Sequence, residues 1–96
     1  GILAVEAYHA ANVRTTLVSM GLGAQANAIS NARDSLDGGS DLDQGIVEAG
    51  VLNIVPTDEN GIAFSRSPQQ VLNILYLNPN GMPGGFFPAG LNGTIR

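Results

Sequence analysis

Glu6-Ala7-Tyr8-His9 is the place in this chain where residue types and spacing point to chemistry. A carboxylate and an imidazole three positions apart on a helix lie on one face, one turn from each other. A carboxylate oxygen beside a neutral imidazole nitrogen suits divalent iron, manganese or zinc. Helical bundles that hold a metal pair take a Glu-x-x-His from each of two helices and a Glu from each of two others. Glu6 and His9 are therefore candidate metal ligands. His9 is the only histidine of the chain, so the remaining ligands of such a site must come from outside these residues. The plainer alternative is a Glu–His hydrogen bond that fixes helix register.

The element that must carry this pair is a helix over residues 1–20. No Gly or Pro interrupts Ile2 to Met20 and Ala is frequent, which favours helix. Gly21 and Gly23 then supply stop signals. At about 100° per residue, Ile2, Glu6, His9, Val13, Thr16, Leu17 and Met20 form one stripe. Two ionisable groups thus sit in a mostly apolar seam. An ionised carboxylate buried there is costly unless it is paired or coordinated. Tyr8 points about 100° away from His9 and reads as a packing residue. The chain starts inside this pattern, at Gly1, and reads as a break in a longer polypeptide.

Residues 24–36 give a second, weaker helical pattern through Ala24, Ala28, Ile29, Ala32 and Leu36. Residues 37–50 are acidic and Gly-rich, a loop with at most a helical turn near Ile46 to Ala49. Val51 to Val55 is β-branched enough for a short strand, and Asp58-Glu59-Asn60-Gly61 is a turn that lets Ile62-Ala63-Phe64 pair back as a small hairpin. Ser67, Pro68 and Gln70 spell a capping box with Pro at the first helical position. Val71, Leu72, Ile74, Leu75 and Leu77 follow as its packing face, and Asn78-Pro79 ends it. Residues 78–96 are rich in Gly and Pro yet carry Phe86, Phe87, Leu91 and Ile95. Those side chains favour an ordered, extended tail lying on a larger body.

Other chemistries find little support. The net charge is −4, with four Arg and no Lys, so no basic patch exists for nucleic acid or anionic membrane. The longest apolar run falls far short of a membrane span. Without Cys there is no disulfide and no thiol catalysis. Asp37, Asp41, Asp43 and Glu48 fall on a calcium-loop frame, but Gly39 and Leu42 break it at the third ligand and at the sharp turn. These acids read as a solvated loop. No serine has a nucleophile-elbow setting, and Gly81, Gly84 and Gly85 do not form a phosphate loop. Charged residues make up 12% of the chain, about half the usual share. That shortage suggests surface covered by the rest of a longer polypeptide or by a partner protein.

Three stretches together resemble the ferritin-like family of desiccation-related proteins. GILAVEAYHAANVRTTL is similar to the last bundle helix, AFSRSPQQVLNILYLNP to the Arg-Ser/Thr-Pro helix, and GGFFPAGLNGTI to the Gly-Gly-Phe-Phe/Tyr-Pro-x-Gly ending. The resemblance implies a mainly α fold: residues 1–21 as the last helix of a ferritin-like four-helix bundle, and residues 22–96 as a C-terminal extension of short helices, a small hairpin and an extended tail. It implies a di-iron or di-manganese site with Glu6 and His9 as one helix's ligands, completed by helices outside this chain. It also implies a stress-related, exported (periplasmic or secreted) protein. The alternative is a metal-free scaffold that uses bundle and tail for protein–protein interaction, since the same fold hosts storage, oxidation and structural roles.

Overall fold

A computed structural model describes residues 1–96. Helix α1 spans Ile2–Ser19 and closes on left-handed Gly21. The Gly21 N–H donates to the Val18 carbonyl and the Leu22 N–H to the Leu17 carbonyl. This is the paired C-terminal motif that favours glycine because its φ of 72° strains any residue with a Cβ. Helix α2 spans Gly23–Asp34, so the two helices are joined through three residues and lie against each other.

Strand β1, Val47–Glu48, pairs antiparallel with β2, Val51–Leu52, in the register Val47 to Leu52 and Glu48 to Val51. Ala49 and Gly50 between them are both left-handed, as a two-residue hairpin turn requires. The expected strand over 51–55 is thus shorter and pairs backwards, not with residues 62–64, and the helical turn near Ile46 to Ala49 is a hairpin instead. The Asp58 turn does form. Its Oδ1 accepts from the Asn60 and Ile62 N–H groups, and a single bridge joins Thr57 to Ala63 across it.

Helix α3 spans Pro68–Tyr76 with the capping box complete. The Gln70 N–H donates to Ser67 Oγ at 3.3 Å, and the Ser67 N–H donates to Gln70 Oε1 at 2.8 Å. Its last turn closes through left-handed Leu77, with the Asn78 N–H on the Asn73 carbonyl. Of the apolar face read from the sequence, Leu72 is buried, Ile74 and Leu75 are half-buried, and Val71 and Leu77 are exposed. The largest fully buried side chains are Tyr76 and Ile46.

Tyr76 ties down the tail. Its hydroxyl accepts the Leu91 N–H at 2.9 Å, and the Phe86 N–H donates to the Leu75 carbonyl. The tail is therefore ordered against α3, although Phe86 stays 72% exposed. Tyr76→Phe is predicted to cost about 1 kcal/mol, because the half-buried Leu91 amide loses its acceptor. Amide exchange should quicken at residues 86–91 and leave α1 unaffected. An unchanged Leu91 exchange rate would remove the hydroxyl from this role.

The molecule is mainly helical, with three helices and one two-stranded sheet. It is also unusually open. Its accessible surface is 6370 Å², where a self-sufficient chain of this mass shows about 5,200 Å². Its radius of gyration is 14.4 Å, against about 12.5 Å for a closed domain of this length. Helix α1 buries none of its residues, and Ile2, Leu3, Val5, Tyr8 and Val13 on it are exposed. No helix is long and apolar enough to cross a membrane.

Candidate functional site

Helix α1 meets the rest of the chain along one side only. Arg14 makes the attachment. Its guanidinium donates to the Gln44 carbonyl at 3.1 Å and to the Gly45 and Asn53 carbonyls at 2.6 Å each. The acceptors belong to the loop that flanks the β1–β2 hairpin. Burial lowers the Arg14 pKa, Asp43 opposes the shift, Arg33 adds to it and Glu48 opposes it. An arginine stays charged through such a shift, so the three bonds are charge-assisted.

The carbonyl cradle is itself built by Asn27 of α2. Its Oδ1 accepts the Ile46 N–H at 2.6 Å and the Val47 N–H at 3.3 Å, and its Nδ2 donates to the Val47 carbonyl at 2.9 Å. Glu48 closes the other side by accepting the Gly45 N–H at 2.6 Å. Between them Gly45 has no room for a side chain, because a Cβ there would stand 2.6 Å from Asn27 Oδ1 and 2.7 Å from Glu48 Oε1.

Behind the cradle lies a buried ion network. Asp43 accepts two bonds from Arg33, on Nε and Nη2, and a third from Arg66 Nη2 at 3.0 Å. Arg66 Nε also donates to Asp37. The Asp37 side chain is fully enclosed and that of Asp43 nearly so. One atom on each side of the network, Asp37 Oδ1 and Arg14 Nε, is buried without a partner. The acidic stretch is thus not a solvated loop. Two of its acids are interior anions matched to arginines, and the calcium frame is taken apart: Asp41 remains exposed and bonds Gln44, while Glu48 serves the cradle.

Glu6 and His9 are both exposed on α1. With about 100° per residue, His9 lies about 140° around the helix from Arg14, so the attachment leaves the His9 side of the stripe open. Ile2 and Met20 share that open side and are exposed, Ile2 by 83%. Tyr8, read as a packing residue, is 72% exposed and finds nothing in this chain to pack on. Glu6 stands at the edge of the attachment. It lines a cleft of about 240 Å³ between α1 and the segment around residues 54–64, together with Arg14, Arg33, Asp43 and Phe64. No group of three His, Asp or Glu side chains able to hold a metal comes together in the chain. The donor chemistry of Glu6 and His9 therefore fits half of a metal site and needs donors from elsewhere.

Glu6 and His9 stand out in the sequence, whereas Arg14, Arg33, Arg66, Asp37 and Asp43 do not stand out there as a connected set. A signal was present: every cation of the chain is Arg and none is Lys, and Arg is the residue suited to buried, multidentate pairing. Comparisons of the chain with protein-family models, with curated proteins and with solved structures give no match.

Proposed function

We propose that α1 is one helix of a ferritin-like bundle, in which Glu6 and His9 furnish one helix's share of a di-iron or di-manganese carboxylate site. The observation that carries this reading is that α1 buries no residue, and His9 with Ile2 stays exposed on the side of the helix turned away from Arg14. In proteins most helical stability comes from packing of a face, and an exposed apolar stripe calls for partner helices. In such a site Glu6 would bind or bridge the metals and His9 would ligate one of them. The metal pair, when bound, would supply oxidation chemistry of the ferroxidase or peroxide-consuming kind. This chain's own task is to hold a carboxylate and an imidazole one turn apart on a fixed face.

The test is the metal content of the intact protein, with all of its helices, purified without chelators. Stoichiometric iron or manganese is expected in the parent protein. His9→Ala is expected to lose it with little change in stability, because His9 is exposed in this chain. Metal retained in full by that variant would sink the assignment.

A second reading follows from the tail. Met82 and Phe86 are exposed beside a well-anchored backbone, an arrangement suited to gripping another protein surface. On that reading the protein is a metal-free scaffold. Absence of stoichiometric metal even after anaerobic iron loading would favour it.

A further inference from the structure

Three Asn-Gly pairs occur in the chain: Asn60-Gly61, Asn80-Gly81 and Asn92-Gly93. Each asparagine is exposed. Such pairs are chemically labile, because a glycine puts no side chain in the way of its own backbone nitrogen as it approaches the asparagine amide carbon. The fold treats the three differently. The Gly61 N–H is held by the Asp58 carbonyl at 3.0 Å and the Gly81 N–H by the Asn78 carbonyl at 3.1 Å, each inside a tight turn. The Gly93 N–H has no hydrogen-bond partner and lies outside any helix or strand.

We infer that Asn92 is a site of spontaneous modification in the folded protein, deamidating ahead of Asn60 and Asn80. The Gly93 backbone nitrogen attacks Cγ of Asn92, the new C–N bond closes a five-membered succinimide, and the side-chain nitrogen leaves as ammonia with the proton that Gly93 gives up. Water then opens the ring at either carbonyl, leaving aspartate or isoaspartate. No other reagent is consumed. For Gly61 and Gly81 the attacking nitrogen must first give up its turn hydrogen bond, which slows closure roughly five- to tenfold. Asp37-Gly38 could form the same ring in principle. Its carboxylate is enclosed and held as an anion by Arg66, and an anionic carboxylate is a poor electrophile.

The product adds a negative charge to a chain already at −4. It falls one residue beyond Leu91, whose N–H anchors the tail on Tyr76. An isoaspartate also lengthens the backbone by one carbon at that point.

The experiment is peptide mass mapping of the protein aged at mildly alkaline pH, folded and in denaturant. Folded, Asn92 is expected to convert first, by roughly five- to tenfold over the other two. In denaturant the three rates should converge. Gly93→Ala should bring Asn92 below Asn60 and Asn80. Gly93 does not have a left-handed φ, and a Cβ there meets only the Ile95 backbone, its carbonyl at 3.3 Å and its nitrogen at 4.0 Å, so that variant folds with a small shift at residues 93–95. Equal folded rates for the three pairs, or a lead by Asn60 or Asn80, would overturn the inference. So would an undiminished Asn92 rate in Gly93→Ala.

Discussion

Asp43→Ala is expected to destabilise the fold by about 3–5 kcal/mol, read as a lower urea midpoint at constant slope. The reason is the pairing just described. Asp43 is the anion shared by Arg33 and Arg66, and its side chain is almost fully enclosed. Removing it leaves the Arg66 guanidinium, itself only 21% exposed, with Asp37 as its remaining counter-charge. Arg33 is about half exposed, so water replaces its lost partner and that arm contributes little. Small domains hold only about 5–15 kcal/mol in total, so the variant should sit near the edge of folding. A double-mutant cycle with Arg66→Met separates pairing from packing. If the pair is the source, the double variant is less destabilised than the two single losses added together. A loss below about 1 kcal/mol for Asp43→Ala would place the network among ion pairs that contribute nothing measurable.

The second large effect is expected at Arg14. Arg14→Ala should cost about 2–4 kcal/mol, given the usual worth of hydrogen bonds to a charged group and their overlap at one guanidinium. Three carbonyls lose their donor together, and α1 loses its one charged attachment to the β1–β2 region. The effect is regional. Amide exchange should rise throughout Ile2–Ser19 and stay near its parent value in α3, whose capping box and tail contacts do not involve Arg14. Arg14→Lys should recover less than half of the loss, since an ammonium cannot fork to three carbonyls spread over Gln44, Gly45 and Asn53. Unchanged protection of α1 in Arg14→Ala would mean that apolar contact with α2 holds the helix instead.

What could be read from the sequence was local. The capping box at Ser67 and Gln70, the stop at Gly21 and the Asp58 turn each depend on residues within five positions of one another. Those signals transferred directly to structure. The hairpin was misjudged because its turn is Ala49-Gly50, where a non-glycine residue adopts a left-handed conformation that sequence rules assign to Asn or Gly. The burial of Asp37 and Asp43 was not legible at all. Their partner Arg66 lies 29 and 23 residues away, and nothing in an acidic, Gly-rich stretch says whether its charges meet water or arginine. Tyr76 was overlooked for a related reason. It ends α3 one turn beyond Leu72, on the same buried face, and the partner of its hydroxyl, the Leu91 N–H, lies 15 residues further on. Glu6 and His9 were legible as a pair on one face; their surroundings belong to surface that this chain leaves uncovered.

Arg14 has a consequence for the order in which the molecule comes into being. The residues that receive it lie 30 to 39 positions further along the chain. Chains grow from the N-terminus at about 5–20 residues per second. After Arg14 is synthesised, its last acceptor at Asn53 therefore takes roughly two to eight seconds to follow. Throughout that interval α1 has no cradle to enter, and its apolar side chains lack the cover that the later residues bring. The late arrival of the Gln44–Asn53 loop then fastens the helix through Arg14. The geometry that holds the helix in place thus also sets a schedule: α1 can form early, but its attachment waits for residue 53.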